Sequence, residues 1–153
     1  MAHLHDFGEE YIQKQAFNTG DLSVTSCELG LYLNDPAEGG DDLGQADNVD
    51  AITTEPSDGN YTRTSVDLTS SEVTIDLSGP NAVIDLGTRS FTVENSTGDV
   101  DSWFIVINYQ SDEAGNAGAA DNLILSGRLD VTDPEPIDSL NALEVTGIGG
   151  ELE

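Results

Sequence analysis

The residues that could carry chemistry are two histidines, one cysteine and thirty carboxylates. His3 and His5 are spaced i, i+2, so on a strand their imidazoles would share a face and could bind a metal ion. The spacing supplies no third ligand. Any Ser-His-Asp or Cys-His apparatus would have to use this same N-terminal segment. We interpret the pair as an exposed N-terminal feature and predict no catalytic residue and no enzymatic activity.

Cys27 and the aspartates are the other candidates for reactive or metal-binding residues. A lone cysteine cannot close an intrachain disulfide, and a position among strand residues favours a small buried hydrophobe over a nucleophile. Four aspartates share residues 41–50, and two more flank Val100, but neither group has the spacing of an EF-hand. We expect no cofactor, and only opportunistic binding of Ca2+, Mg2+, Na+ or K+ by acidic loops.

The charge of the chain excludes several partners. With 30 acidic and four basic residues, the 153-residue chain has a formal net charge of -26. So few cations predict no nucleic acid partner, and an anionic membrane would repel such a surface. The longest apolar run, Trp103 to Ile107, is too short to span a membrane, and no secretory signal is visible at the N-terminus.

The distribution of acids indicates how the chain stays soluble. Acids alternate with apolar residues in strand-like segments, as in Asp67-Leu68 and Asp85-Leu86, which is typical of a folded domain with a carboxylate-coated face. Molar salt would screen the repulsion within such a coat. We therefore predict a halophilic protein, the alternative being a mesophilic acidic protein that binds Ca2+.

The period of the apolar residues changes once along the chain. Residues His3 to Phe17 are predicted to form a short N-terminal helix, with an Asp-x-x-Glu capping box and four apolar residues near one face: Phe7, Tyr11, Ile12 and Phe17. After Gly20 the period becomes 2. We divide the chain into an N-terminal helical segment, residues 1–20, and one β-domain, residues 21–153. The helix could dock on its own domain or on a neighbour.

Eight short strands are predicted after Gly20. They are Leu22–Leu33, Tyr61–Leu68, Glu72–Leu77, Ala82–Leu86, Ser90–Glu94, Val100–Tyr109, Asn122–Val131 and Leu143–Thr146. The pattern predicts an all-β fold, an antiparallel β-sandwich of jelly-roll or immunoglobulin-like type.

Two of these strands carry specific expectations about which side chains are buried. Val73, Ile75 and Leu77 should face inward. The continuous apolar run in Val100–Tyr109 predicts a central strand covered on both faces. Trp103, Ile105 and Ile107 should lie on one face of that strand, and Phe104 and Val106 on the other.

The scarce cations and the long loops are candidates for contacts. Arg63 and Arg128 should each be paired, with an acid of the same chain or of a neighbouring subunit. With the four apolar residues of the helical segment, they are our candidate interface residues. The polar loops Asn34–Gly59 and Ser111–Asp121 are long enough to contact partners.

Three segments together resemble small virion structural proteins of tailed viruses. The matching residues are Gly30, Leu31, Tyr32 and Pro36, then Glu55, Gly59, Tyr61, Arg63 and Val66, and finally Leu123, Gly127 and Leu129. The acidity makes the chain similar to versions from tailed viruses of halophilic archaea.

The resemblance implies a role in the virion. We expect a capsid decoration or turret subunit, assembled in the host cytoplasm, that forms a homo-oligomer (trimer or pentamer) and docks on the major capsid protein or other virion proteins. A location on the capsid surface is favoured over the tail. The alternatives are a tail or baseplate accessory protein, and a receptor- or carbohydrate-binding β-sandwich that uses the two long loops.

Overall fold

The fold is taken from a computed structural model that describes residues 2–5, 8, 24–44, 46, 48–67, 73–76, 78–79, 82–109, 122–129, 134–146 and 148–152. Almost all regular structure in these residues is β-strand, with short 3-10 turns at Pro36–Glu38 and Val49–Ala51. The strands are β1 Ala2–Leu4, β2 Val24–Tyr32, β3 Thr64–Ser65, β4 Thr74–Asp76, β5 Ala82–Asp85, β6 Arg89–Thr92, β7 Asp99–Val100, β8 Ser102–Tyr109, β9 Asn122–Arg128, β10 Glu135–Pro136, β11 Ala142–Val145 and β12 Gly149–Leu152.

The described strands form four sheets in which every pairing is antiparallel. The largest has the order β1-β9-β8-β2-β3, and a three-stranded sheet has the order β12-β5-β4. Two further pairs join β10 to β7 and β11 to β6. The all-β prediction is therefore confirmed.

The predicted N-terminal helix is wrong at its start. Residues Ala2–Leu4 form β1, which pairs with β9 so that Leu4 lies opposite Leu125. The His5 amide continues this contact by donating to the Ile124 carbonyl oxygen at 3.0 Å. Pairing with the open edge of β9 fixes these residues as a strand, before the apolar residues of the predicted helical face. This strand belongs to the sheet of the domain that we had begun at residue 21. The rest of the predicted helix, apart from Gly8, lies outside the described residues.

The prediction for the central strand is confirmed. β8 lies between β9 and β2, and its alternate side chains enter two separate clusters. Trp103, Ile105 and Ile107 join the main cluster, to which the smaller sheets also contribute, whereas Phe104 and Val106 join the second cluster. All five are at most 5 % exposed.

The polar segment after β2 covers the second face of the large sheet. Leu43 and Val49 are buried there against Phe104 and Leu123, and Ile52 packs at the margin. A few apolar residues spaced through an otherwise polar sequence are enough to fix this covering segment, residues 33–54, on its own sheet. Much of the predicted contact loop Asn34–Gly59 is thus part of the fold.

The prediction that Ile75 faces inward is wrong. Its side chain is 59 % exposed, although Ile75 lies opposite Ile84, which packs against the main cluster. β4 is the edge strand of the three-stranded sheet among the described residues. Val73 is half-buried and packs against the main cluster, and Leu77 lies outside the described residues. The edge position of β4 carries Ile75 beyond the core.

Candidate functional site

The pairing of β1 with β9 places the imidazole of His5 next to the hydroxyl of Ser126. His5 Nε2 lies 2.8 Å from Ser126 Oγ, and the two residues are 0 % and 5 % exposed. Our interpretation of an exposed histidine pair is therefore wrong for His5, while the side chain of His3 lies outside the described atoms. Ser126 also lines a hollow of about 230 Å³ together with Asn34, Asp42 and Gly44 of the covering segment.

A serine beside a histidine is the pairing used in nucleophilic catalysis. Here, however, Ser126 is almost fully covered. The neighbouring Tyr32 hydroxyl donates to Asn34 Oδ1 at 3.1 Å, and burial raises the pKa of Tyr32 to about 12. His5 and Ser126 therefore form a buried polar pair beside this hollow, under the covering segment.

Arg63 is held by two kinds of contact within the chain. Its Nε and Nη2 atoms donate to the two carboxylate oxygens of Glu55 at 2.8 and 2.7 Å, and Glu28 lies 3.8 Å from Nη1. The guanidinium also lies over the Phe104 ring, 5.1 Å from its centroid. Bidentate pairing and stacking on an aromatic ring both require the planar fork of arginine.

Tyr61 joins this arrangement to the edge of β2. β2 pairs with β3 only at Glu28 and Leu29, and two residues further along, the Leu31 amide donates to the Tyr61 hydroxyl at 2.9 Å. The hydroxyl donates in turn to Glu55 Oε1 at 3.1 Å. Burial, and then the charge of Glu55, raise the pKa of Tyr61. The phenol therefore stays neutral and takes the place of a missing strand partner.

Gly59 allows the start of this segment to lie close to the backbone of Asn95. Its φ angle is +62°, and an added Cβ would collide with the backbone of Asn95. Asn60 continues the contact, since its amide donates to the Glu94 carbonyl oxygen at 2.9 Å. Three residues behind the resemblance, Glu55, Tyr61 and Arg63, thus act as one structural clamp along the edge of β2, and a fourth, Gly59, packs the same segment against Asn95.

Tyr61→Phe should lower the free energy of unfolding by about 1–3 kcal/mol, because it leaves the buried Leu31 amide without its acceptor. The measurement is urea unfolding in molar salt. As a control, Tyr32→Phe removes a hydroxyl that donates to a side-chain oxygen and should cost less. A cost for Tyr61→Phe below that of Tyr32→Phe would contradict the proposed role of the hydroxyl.

Arg128 is also paired within the chain. Its Nη2 donates to Asp101 Oδ2 at 2.8 Å, while Asp101 Oδ1 accepts from the Asn34 amide at 2.7 Å. Asp101 is fully buried, whereas the Arg128 side chain is 55 % exposed. Both candidate interface arginines thus have intramolecular partners, and a contact of either with a neighbouring subunit stays a prediction. The other candidates, Phe7, Tyr11, Ile12 and Phe17, lie outside the described residues.

The carboxylate of Asp41 joins two parts of the covering segment by hydrogen bonds. Asp41 accepts four hydrogen bonds, from the amide and hydroxyl of both Thr53 and Thr54, at 2.7–2.8 Å. The Thr54 hydroxyl also lies 2.9 Å from the Leu33 carbonyl oxygen. Desolvation alone would raise the pKa of Asp41, but these hydrogen bonds favour the charged form and lower it below its usual value.

Low pH should weaken the hydrogen bonds that Asp41 accepts from Thr53 and Thr54. Because the folded-state pKa of Asp41 is depressed, its contribution to stability is present above the unfolded value of about 3.9 and is lost as pH falls through the folded value. Asp41→Asn should therefore be less stable than the wild type at neutral pH, and the difference should shrink in acid. Denaturant unfolding from pH 7 to pH 2.5 measures this.

Asp42→Asn, at an exposed neighbouring aspartate, is the control and should change stability at neutral pH by less than about 0.5 kcal/mol. A difference between Asp41→Asn and the wild type that stays constant down to pH 2.5 would show that the carboxylate charge is not what fastens the segment.

The edge strand β4 is the most exposed apolar feature of the described chain. Ile75 is the one large hydrophobic side chain that is mainly exposed in the described ranges, and Thr74 beside it is exposed as well. No described strand other than β5 pairs with β4. A strand edge that no described strand covers, with an apolar side chain on it, can accept another strand, so this edge is a candidate contact surface.

Neither a metal centre nor a membrane span emerges from the parts that the structure describes. There, no group of three or more His, Cys, Asp and Glu residues is placed to hold a metal ion. No helix in those residues is long and apolar enough to cross a membrane. No protein-family model, curated protein or solved structure matches the chain.

Proposed function

We propose that the chain is a non-enzymatic virion structural protein, a capsid surface decoration or turret subunit. It would form a trimer or pentamer and dock on the capsid lattice in high salt, as part of a tailed virus of halophilic archaea. We further propose that its sheets form an antiparallel sandwich of jelly-roll or immunoglobulin-like type. The main cluster supports this, since it joins Leu29 and Trp103 of the large sheet to Phe91 and Val145 of the β11-β6 pair and to Ile148 just before β12.

The observation that carries the proposal is the exposed edge of β4. A chain with a net charge of -26 repels other copies of itself, so contacts are least costly where the surface lacks carboxylates and salt is high. Ile75 offers apolar area on this edge, between the uncharged Thr74 and the acidic Asp76, whose charge molar salt would screen. Contact along this edge would combine apolar burial with strand addition.

Ile75→Asp should abolish oligomerisation if this edge makes the subunit contact. We expect sedimentation of the wild type at about 2 M KCl to show a trimer or pentamer, and the variant to sediment as a monomer. Thr92→Asp is the matched control, because it adds the same charge at an exposed position on β6 and should leave the oligomer intact.

Two results would contradict this contact. One is a wild type that stays monomeric throughout the salt range. The other is an Ile75→Asp variant that assembles as fully as Thr92→Asp.

A tail or baseplate accessory protein would use the same fold, and only its position in the particle distinguishes it. The second candidate function is carbohydrate binding. It is favoured by the polar hollow beside Ser126, lined by Asn34 and Asp42 among others, because few but well-placed polar groups orient a small ligand. Saturable chemical-shift changes at these residues on addition of monosaccharides would support it over the structural role.

A further inference from the structure

An apolar cavity of about 140 Å³ lies between the large sheet and the β12-β5-β4 sheet. Cys27, Ile105 and Ile124 line it from the large sheet, and Val73, Ile84 and Leu86 line it from the other side. Its described walls consist of nine side chains, of which only Cys27 carries an atom other than carbon. The proposed virion role does not use this space.

The side chains that line the cavity offer few hydrogen-bonding partners to a water molecule. Burial, followed by the charge of Glu28, raises the pKa of Cys27 to about 11, so the thiol is neutral at pH 7. A water molecule needs two to four polar partners, and apolar cavities of about 150 Å³ in proteins stay dry and take up benzene or xenon. The side chains around such a void also lack dispersion contacts on one side. An apolar guest would supply those contacts without losing hydrogen bonds.

The cavity is also accessible from the protein surface. Val73 and Ile84 are only half-buried, as is Val24 at the same wall, whereas Leu86 and Ile105 deeper inside are at most 5 % exposed. We propose that this cavity is a binding site for one small, uncharged, apolar molecule about the size of a benzene ring. Its described walls provide no group that would pair with a charge, so an ionised analogue of the same shape is rejected.

The experiment uses the full chain in molar salt with benzene as the probe and benzoate as its charged analogue. At a benzene concentration about ten times its dissociation constant, the melting temperature should rise by about 2–5 °C. Benzoate at the same concentration should produce no rise. No rise with benzene, or an equal rise with benzoate, would overturn the proposal.

Two variants locate the site. Cys27→Leu fills the cavity from β2 and should remove the rise with benzene. Val49→Ala changes the second cluster on the opposite face of the sheet and should keep it. A rise that persists in Cys27→Leu, or disappears in Val49→Ala, would place the binding elsewhere and overturn the proposal.

The rate at which the wild-type Cys27 thiol is modified is an independent measure of binding, in case the Cys27→Leu variant does not fold. Benzene at ten times its dissociation constant leaves about one molecule in eleven empty, so modification of Cys27 by a small methylthiolating reagent should slow about tenfold. An unchanged rate would contradict occupancy of the cavity, because Cys27 forms part of its wall.

Discussion

Ile105→Ala should lower the free energy of unfolding by about 2–5 kcal/mol. Ile105 is 5 % exposed and lies on the central strand β8, between Leu29 of β2 and Leu125 of β9 in the sheet register. Truncation removes buried methylene and methyl groups and enlarges a cavity that Ile105 already lines. A strand held from both sides cannot move to fill that space, so the cost should lie well inside this range.

The matched control is a truncation at an exposed strand position outside the proposed subunit contact. Thr92→Ala on β6 removes an exposed side chain and should cost less than about 0.5 kcal/mol. Urea unfolding of both variants in molar salt gives the comparison. Equal costs, or a cost below 1 kcal/mol for Ile105→Ala, would mean that β8 is not the centre of the core.

Removing salt should lower the melting temperature by about 10 °C between 1 M and 0.1 M chloride. Two unit charges 10 Å apart in water repel by about 0.4 kcal/mol before screening. The Debye length grows from about 3 Å to about 10 Å over this range, so roughly a third of that repulsion returns. With about two such neighbours for each of the 26 net charges, which makes about 26 pairs, the sum is about 3 kcal/mol.

Calorimetric scans in a chloride series measure the effect with little contribution from salting-out ions. The same series near pH 3 is the control, because protonation of many carboxylates should flatten the dependence on salt. A melting temperature at pH 7 that stays flat or rises as salt is removed would contradict the halophilic interpretation.

The strands that carry a local signal were predictable from the sequence. The continuous apolar run of β8 and the alternation in β2 identify the centre of the large sheet, including which side chains of β8 face each cluster. β1, β10 and β12 were missed. β1 and β10 are only three and two residues long, and Gly149–Leu152 begins with two glycines, so only pairing with distant strands reveals them.

Partners of individual side chains were less predictable. Arg63 and Arg128 were expected to be paired, but thirty acids leave the choice of Glu55 and Asp101 to the fold. The contact of His5 with Ser126 spans 121 residues and follows only from the β1–β9 register. The signal that could have found it is the match between a short apolar N-terminal segment and the open edge of β9.

The proposed role implies that a virus encodes the chain, and electron cryomicroscopy of intact particles of that virus tests the role most directly. We expect protrusions on the capsid surface, each built from copies of a 16.2 kDa β-domain and placed on threefold or fivefold positions, with β4 at a subunit contact. A ring of the domain on the tail would contradict the capsid location. Absence of the chain from purified particles, by mass spectrometry of the same sample, would contradict the virion role itself.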